Sequence, residues 1–343
     1  MLIEFEVGNY LSFNAPVRLS MVAANPIKEY LEENTFQAGR HRLLKSAVVY
    51  GANASGKSNL LAAMAFMRWF VLASSKETQV DEEIGVVPFK LDAATENAPS
   101  HFEVCFLQND IRYRYGFEVD RKAVRKEWLF RADKAKEEPL FLREGDGIDV
   151  LDFQEGKGLE EKTRDNALFL SVVAQFNGET AVGILKWFIG FRALHGLRDQ
   201  QYERYTMQLL QDASMRPLLL EFIRNADVGI EDLIVNEVPP DEDALKGMSE
   251  EMQRLKKNQK RYRMATVHRK FRDGTAEGVT NMDFATEESE GTKKFFRLAG
   301  PVLDCLRNGY VVAVDELDAK LHPLLTKAIV RLFNSSELNL CGT

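Results

Sequence analysis

Cysteine is scarce in this chain of 343 residues, which contains only three copies of it. Cys105, Cys305 and Cys341 lie far apart and form none of the short spacings that bind zinc or carry out disulfide exchange. Isolated thiols of this kind are typical of a reducing compartment, where cysteines stay free or buried. We therefore expect neither a structural zinc site nor a disulfide framework.

Long apolar runs and an excess of basic charge are also missing. The longest apolar segment, "NLLAAMAFMRWFVLA", is interrupted by Arg68 and is too short for a membrane span. The N-terminal "MLIEFEVGNY" lacks the basic and apolar regions of a signal peptide. The net charge of -7 argues against a generally basic nucleic-acid binder. We expect a cytoplasmic protein with no membrane partner.

Alternating apolar residues predict a β-rich start, in which Leu2 to Val7 form a strand. The segment "SAVVYGANASGKSNLLAAMAFMRWF" then predicts a buried strand at Ala47 to Tyr50, a glycine-containing loop, and a helix from about Lys57 to Ser74-Ser75. Two alternating runs about Asn109 and Asp110 predict a hairpin. An apolar content of 45% is ample for a buried core.

The middle of the chain has a different pattern from Asn166 onward. Apolar residues recur there at three- and four-residue spacing, which predicts helices in "NALFLSVVAQF", "AVGILKWFIGF" and "MRPLLLEFIRNA". A short heptad-like stripe at 244–262 favours a helix packed on its own domain over a coiled coil. "KFRDGTAEGVTNMDF" predicts a second hairpin. We divide the chain into 1–160 and 276–343 as parts of one core, with 161–275 as a helical insert.

"GANASGKS" fits the phosphate-binding pattern G-x-x-x-x-G-K-[ST] at Gly51, Gly56, Lys57 and Ser58. The glycines let backbone N–H groups surround a phosphate, and the following helix directs its positive end at the same anion. Lys57 would contact the β- and γ-phosphates, and the Ser58 hydroxyl would ligate Mg²⁺. The alternative is a chance glycine-rich loop, which the strand and helix predicted on either side make the weaker interpretation.

"YVVAVDELD" predicts an apolar strand from Tyr310 to Val314 that ends in Asp315 and Glu316. Such a strand carries its terminal carboxylates to the edge of a parallel sheet, where nucleotide sites lie. Asp315 would hold Mg²⁺, and Glu316 would act as the base or positioning group for the attacking water. Apolar strands that end in acidic residues are common, so the acidic pair alone would not indicate a nucleotide site. It does so here because the chain also contains the phosphate-binding pattern.

"EESEGTKKFF" contains Ser289, Gly291 and Thr292 shortly before the acidic strand. One interpretation is an ordinary helix start, capped by Ser289 or Thr292. The other is a signature motif whose hydroxyl and free N–H groups bind the γ-phosphate of a nucleotide held by another protomer. The order of the three motifs favours the signature, and the absence of N-K-x-D argues against a guanine-reading GTPase.

Together, "LIEFEVGNYLSF", "VVYGANASGKSNLL", "NALFLSVVAQFN", "EESEGTKKFFRLAGPVLDCL" and "VVAVDELDAKLHPLL" make the chain resemble the bacterial ABC-type AAA-family ATPases related to RecF, SMC and OLD proteins. The RloA- and PtuA-like ATPases of restriction-associated and anti-phage defence loci are the most similar group. The resemblance implies an α/β fold, an ABC-type P-loop ATPase head with mixed β-sheet, β-hairpins and an inserted helical lobe. It also implies a homodimer around two ATP molecules, beside an effector such as a nuclease.

Carried over by position, the resemblance implies catalytic roles for Glu316 and Lys57 and metal binding by Ser58 and Asp315. Glu290 matches the second position of the signature. The predicted ATP-binding residues are Gly51, Asn53, Ala54, Ser55, Gly56, Lys57, Ser58, Asn59, Ser289, Gly291 and Thr292.

The sequence departs from the family pattern at two places. His322 stands where ABC transporters have aspartate, and it would contact the partner site or serve in capping or packing. The family has a later strand that ends in a γ-phosphate-contacting histidine, which we expect to be missing from a sequence that ends at Thr343. The missing strand favours one alternative, a nucleotide-gated scaffold with little turnover. A RecF- or SMC-like DNA-repair ATPase is a second alternative.

The segment Arg254 to Arg272 has nine Lys or Arg residues and no Asp or Glu. It is the candidate for contacting a nucleic-acid backbone, with Tyr262 and Phe271 available for stacking. The alternative is a solvated helix and hairpin, which we favour slightly because the chain has no base-reading fold signature.

Overall fold

The computed structural model describes residues 1–24, 26–27, 29–133, 136–226, 229–239, 249, 252–254, 261–335 and 339. They divide into two compact units. The first contains Met1–Leu194, Cys305–Asp315 and the described residues from Val330 onward, and the second contains His195–Asp304 and Glu316–Ile329. This division does not follow the predicted insert at 161–275, so the predicted domain boundaries stay a prediction.

The strands are β1 (Leu2–Gly8), β2 (Val17–Ser20), β3 (Thr35–Ala38), β4 (His41–Leu44), β5 (Ser100–Gln108), β6 (Ile111–Val119), β7 (Val124–Ala132), β8 (Glu138–Glu144), β9 (Gly147–Val150), β10 (Phe191–His195), β11 (Ile230–Val238), β12 (Arg261–Arg272), β13 (Thr275–Asp283) and β14 (Val311–Asp315). The α-helices are α1 (Leu31–Asn34), α2 (Lys57–Ala73), α3 (Phe169–Gln175), α4 (Glu179–Gly190), α5 (Gln200–Gln211), α6 (Arg216–Asn225), α7 (Glu290–Asn308) and α8 (Pro323–Asn334). Two short 3₁₀ helices are Gln154–Gly156 and Glu160–Lys162.

A seven-stranded sheet in the order β2-β1-β5-β6-β7-β8-β9 dominates the first unit, and all its strand pairs are antiparallel. The predicted hairpin joins β5 to β6 and is confirmed. Asn109 and Asp110 both adopt positive φ at its turn, 51° and 61°. Residues with short polar side chains tolerate that left-handed region, and two in succession make the turn type that suits a tight hairpin.

The core of the first unit lies between this sheet and helices α2, α3 and α4. Phe102 and Phe117 from neighbouring strands are fully buried against Phe66 and Phe70 of α2. Aromatic side chains of this size bury large apolar areas and dominate the stabilisation of a core. The large sheet therefore provides a rigid base for α2, the helix that follows the phosphate-binding pattern.

The helix predicted from Lys57 is confirmed as α2, which ends at Ala73. The buried strand predicted at Ala47 to Tyr50 is wrong, because these residues form no strand and Val48 and Tyr50 are exposed by 61% and 88%. A strand needs a neighbour for its backbone N–H and C=O groups. Among the described residues no strand pairs with 47–50, so apolar character alone does not make it a strand.

The strand predicted before the acidic pair is confirmed as β14, which ends at Asp315. Its hydrogen-bonded neighbour is β10, in a two-stranded sheet, and not the segment at 47–50. Val311 and Ala313 of β14 pack against the main core, and α2 packs against the strand. The first unit therefore places the strand that ends at Asp315 beside the helix that begins at Lys57.

The second unit contains α5, α6 and an antiparallel sheet in the order β11-β12-β13. The helices predicted after Asn166 are confirmed as α3, α4 and α6, but 161–275 is not helical throughout, since β10, β11 and β12 lie within it. The second predicted hairpin is confirmed and turns at Asp273 and Gly274, both with positive φ. Most of the heptad-like stripe at 244–262 lies outside the described residues, and Tyr262 belongs to β12.

Membrane-spanning helices were predicted to be missing. Across the described part of the chain, no helix combines the length and the apolar character needed to cross a bilayer.

Candidate functional site

The phosphate-binding pattern forms a loop that opens directly into α2. Gly56 occupies the N-cap position with φ 92°, and no side chain caps the helix. The first-turn N–H groups of Lys57, Ser58 and Asn59 therefore lack intrahelical acceptors and lie at the positive end of the helix. Asn53, Ala54 and Ser55 line the same exposed loop, in which Ala54 has φ 62°. This arrangement can bind an anion such as a phosphate.

The two glycines of the loop differ in how strictly their positions require glycine. A Cβ atom on Gly56 would lie 2.6 Å from the Ser12 hydroxyl, and its positive φ disfavours every other residue. A Cβ atom on Gly51 would lie 2.6 Å from the Ser55 hydroxyl. The loop therefore depends on glycine at position 56, whereas at position 51 a rotation of the Ser55 side chain would relieve the contact.

The Lys57 side chain folds back over its own loop. Its ammonium group donates hydrogen bonds to the carbonyl oxygens of Gly51, at 2.7 Å, and Ala52, at 2.8 Å. A cation held at this place can bind a phosphate only after exchanging these carbonyls for phosphate oxygens. In this structure the loop therefore satisfies the Lys57 ammonium group with its own carbonyls.

The acidic pair follows β14 directly, with Asp315 half-buried and Glu316 exposed. Glu316 adopts φ 50°, a left-handed conformation that is uncommon for a residue with a side chain. Glu316, the predicted catalytic carboxylate, is therefore the residue at which the chain turns away from β14. Asp315 belongs to the first unit, and Glu316 to the second.

The predicted signature lies at the first turn of α7, in the second unit. Ser289 Oγ accepts a hydrogen bond from the Thr292 N–H at 3.1 Å, so Ser289 caps the helix. The two hydroxyls of Ser289 and Thr292 lie 2.9 Å apart and are also hydrogen-bonded. Ser289 and Glu290 are exposed, while Gly291 is half-buried. The ordinary capping role is thus present, and it leaves the polar start of α7 open to solvent.

Glu288 is the residue just before the signature, and it holds the start of α7 in place. The sequence patterns did not indicate this role. Its Oε1 lies 2.7 Å from His268 Nε2 and 2.5 Å from Thr266 Oγ1, both on β12. Only 7% of the Glu288 side chain is exposed. The entry to α7 is therefore anchored on the three-stranded sheet of the same unit by a carboxylate that two neighbours satisfy.

A second anchor holds the middle of α7. The guanidinium of Arg297 pairs with Asp199 at 3.0 Å and with Glu203 at 2.8 Å, and its charged group is largely shielded from water. Thr206 on α5 donates its hydroxyl proton to the Arg297 carbonyl at 3.0 Å. Buried pairs of this kind orient elements because a misplaced partner leaves an unpaired charge. Helix α5 therefore fixes the direction in which the start of α7 points.

His322, one of the two departures from the family pattern, lies at the start of α8. Its Nδ1 accepts a hydrogen bond from the Leu324 N–H at 3.3 Å, and its carbonyl accepts one from the Leu325 N–H at 2.8 Å. These contacts are those of a helix N-terminus, which needs acceptors for its free N–H groups. Of the two roles considered, the structure shows capping.

The basic segment Arg254 to Arg272 is only partly described, since residues 255–260 lie outside the described part of the chain. Three of its arginines form ion pairs with carboxylates of the same three-stranded sheet. The pairs are Arg263 with Asp283, Arg269 with Glu231, and Arg272 with Glu277. Pairing neutralises much of the charge that a phosphate backbone would need. A nucleic-acid partner at this segment stays a prediction.

A glycine-dependent loop that opens into a helix, packed beside a strand that ends in acids, defines a P-loop nucleotide-binding domain of mixed α/β fold. Residues 46–340 match the model of a protein family described as "AAA domain, putative AbiEii toxin, Type IV TA system". The match covers well over half of the chain, which therefore belongs to this family and contains an AAA-type nucleotide-binding domain. None of the curated proteins matches the chain.

Proposed function

We propose that this protein is an Mg²⁺-dependent ABC-type ATPase that dimerises around ATP. The observation that carries the proposal is the presence of two separate helix starts suited to phosphate. One is the uncapped start of α2 in the first unit, and the other is the exposed start of α7 in the second. If one chain bound a single nucleotide at the start of α2 and acted alone, the start of α7 would have no phosphate to bind. In a dimer, the nucleotide held by the second protomer would provide that phosphate.

The residues present fit ATP and Mg²⁺. Lys57 and the first-turn N–H groups of α2 would bind the β- and γ-phosphates. The Ser58 hydroxyl and the Asp315 carboxylate are the hard oxygen ligands that Mg²⁺ prefers, and bound Mg²⁺ would neutralise charge on the phosphates. Phosphate oxygens would complete its coordination, since the described residues contain no group of three or more His, Cys, Asp or Glu side chains that could hold a metal alone.

Glu316 would accept a proton from, or orient, the water that attacks the γ-phosphorus. The bond between that phosphorus and the bridging oxygen would break, releasing ADP and inorganic phosphate. Ser289 and Gly291 of a second protomer would donate hydrogen bonds to the γ-phosphate as its charge redistributes. Catalysis would thus depend on positioning by two chains, which makes dimerisation part of the chemistry.

The dimer would regulate an effector of a defence system, such as a nuclease. The family description supports this part of the proposal, because toxin–antitoxin systems work through paired proteins. Hydrolysis would reset the dimer and with it the effector. A cytoplasmic location follows from such a partnership.

A nucleotide-gated scaffold is the second candidate, and the retracted Lys57 favours it. ATP binding would have to draw Lys57 away from these carbonyls, and such a rearrangement is what a nucleotide-controlled switch requires. Tight ATP binding with phosphate release slower than about one per minute would identify the scaffold, given that typical enzymes turn over at about 10 per second.

Replacing Ser289 with arginine tests the proposed dimer. We expect ATP affinity to stay within about twofold of the wild type, because the variant's own P-loop is untouched. Nucleotide-dependent dimerisation should disappear, and turnover should fall at least about tenfold, since a bulky cation blocks the α7 start. Calorimetry measures the ATP affinity, light scattering with Mg²⁺-ATP measures dimerisation, and phosphate release measures turnover.

The matched control is Ala285→Arg, which adds the same side chain at an exposed turn position four residues earlier. Its dimerisation and turnover should equal those of the wild type. Undiminished hydrolysis by Ser289→Arg would show that the ATP site is complete within one chain.

A further inference from the structure

Lys294 lies one turn beyond the signature on α7 and is only 1% exposed. Its ammonium group donates hydrogen bonds to two backbone carbonyls, those of Glu316 at 3.0 Å and Ala319 at 2.5 Å. Burial lowers the pKa of Lys294. A buried lysine is costly to the fold unless its charge has partners, so these two carbonyls determine where the side chain lies.

The two carbonyls belong to the tight loop that follows β14. The Glu316 carbonyl also accepts a hydrogen bond from the Ala319 N–H, at 3.2 Å. Glu316 and Lys320 both adopt positive φ, 50° and 62°. Left-handed residues with side chains persist only where surrounding contacts hold them. Lys294 supplies such a contact at Glu316 itself.

The first turn of α7 touches the same loop a second time. A Cβ atom on Gly291 would lie 3.1 Å from the Lys320 carbonyl, so the helix backbone passes close to the loop. Gly291 and Lys294 are three residues apart and therefore lie on one face of α7. Any shift of this helix turn moves the loop, because packed contacts of this kind transmit displacement.

We propose that Lys294 is a positioning residue that couples phosphate bound at the start of α7 to the placement of Glu316. The coupling rests on the proposed dimer, in which the γ-phosphate of one protomer's nucleotide meets Ser289 of the other. Engagement of that phosphate fixes the first turn of α7, Lys294 fixes the loop, and the loop fixes Glu316.

Lys294→Met tests the coupling, and Lys293→Met is its matched control. Lys293 is the preceding residue, is 8% exposed, and pairs with Glu290 rather than with the loop. Hydrogen exchange is followed with and without a non-hydrolysable ATP analogue and Mg²⁺. In the wild type and in Lys293→Met, the analogue should slow exchange in both 289–294 and 316–321. In Lys294→Met it should slow exchange in 289–294 only.

Steady-state kinetics gives a reading that mere loosening of the fold would not produce. We expect Lys294→Met to lower kcat about tenfold while KM for ATP changes less than about twofold, and Lys293→Met to change neither. Lys294→Arg keeps donors for both carbonyls and should restore part of kcat. If the methionine variant does not fold, the arginine variant is judged by the same exchange measurement, with weaker protection of 316–321 than in the wild type as the expected result.

Equal protection of 316–321 in Lys294→Met and the wild type would overturn the coupling. Failure of the proposed dimer looks different, since the analogue would then leave exchange of 289–294 unchanged in the wild type. That result would also remove the phosphate on which the coupling depends, and so would count against both.

Discussion

Replacing Lys57 with alanine should lower the affinity for ATP about 100-fold, a loss of about 2.7 kcal/mol. The variant lacks the ammonium group that would contact the β- and γ-phosphates, and charge-assisted hydrogen bonds are the strong ones in such sites. Part of that loss is offset, because the wild-type lysine must first leave the carbonyls of Gly51 and Ala52. Calorimetric titration with Mg²⁺-ATP measures the difference.

Lys45→Ala is the matched control for this experiment. Lys45 also donates a hydrogen bond to a backbone carbonyl, that of Asn334 at 3.0 Å, but it stands outside the loop. Its removal should leave ATP affinity within about twofold of the wild type. If Lys57→Ala binds ATP as the wild type does, the loop at 51–58 is not the nucleotide site.

The parts of this protein that could be predicted from sequence are those with local signals. Helix α2 follows from apolar spacing and from Gly56 at its start, and the hairpin turn follows from Asn109 and Asp110. In each case the residues that determine the conformation are neighbours in the chain. The strand predicted at 47–50 was wrong because strand formation needs a partner elsewhere in the chain, which four apolar residues do not specify.

The motifs of the candidate site could be predicted from the sequence, but the contacts that link one motif to another could not. Lys294 was missed because a lysine is normally expected at the surface. A signal existed, since Leu298 and Cys305 follow at spacings of four and eleven residues, and this places Lys294 on the buried face of α7. Its partners, the carbonyls of Glu316 and Ala319, carry no sequence information at all. Backbone contacts of this kind become visible only in the structure.

Glu127, a buried carboxylate on β7 that accepts hydrogen bonds from the first N–H groups of α3, was not predicted for a related reason. Apolar residues occupy both faces of the "VRKEWLFRA" strand, so alternation does not show that Glu127 points inward. Its partners are distant in sequence, with Phe169 lying 42 residues further along. The helical pattern at 169–175 predicts α3 but gives no indication that a carboxylate from β7 satisfies its start.

Glu127→Ala should reduce the unfolding free energy of the first unit by about 4 kcal/mol. The Glu127 side chain is fully buried. Its carboxylate accepts hydrogen bonds from Tyr115 Oη at 2.9 Å and from the Phe169 and Leu170 N–H groups at 2.7 and 3.1 Å. The buried guanidinium of Arg143 lies 4.0 Å away. Alanine would leave two helix-start N–H groups and the Tyr115 hydroxyl without their acceptor, and it would remove the negative charge beside the Arg143 guanidinium.

Tryptophan fluorescence during urea unfolding measures this loss. Trp69, Trp128 and Trp187, the three tryptophans of the chain, all belong to the first unit, so their signal reports its unfolding. Glu118→Ala on neighbouring β6 is the control. That carboxylate is 26% exposed and lies 3.5 Å from Lys126, so its removal should cost at most about 1 kcal/mol. Equal losses in the two variants would show that the buried carboxylate contributes no more than a surface one.

The pH dependence of stability gives an independent reading of Glu127. Burial raises the pKa of Glu127 above its ordinary value of 4.5, so the folded state holds the proton more tightly than the unfolded chain. As pH rises from about 4.5 through the folded-state pKa, the unfolded chain loses its proton first, and stability falls. The glutamine side chain of Glu127→Gln does not titrate in this pH interval. The wild type should therefore lose more stability than Glu127→Gln over that interval, and parallel pH profiles of the two proteins would contradict the raised pKa.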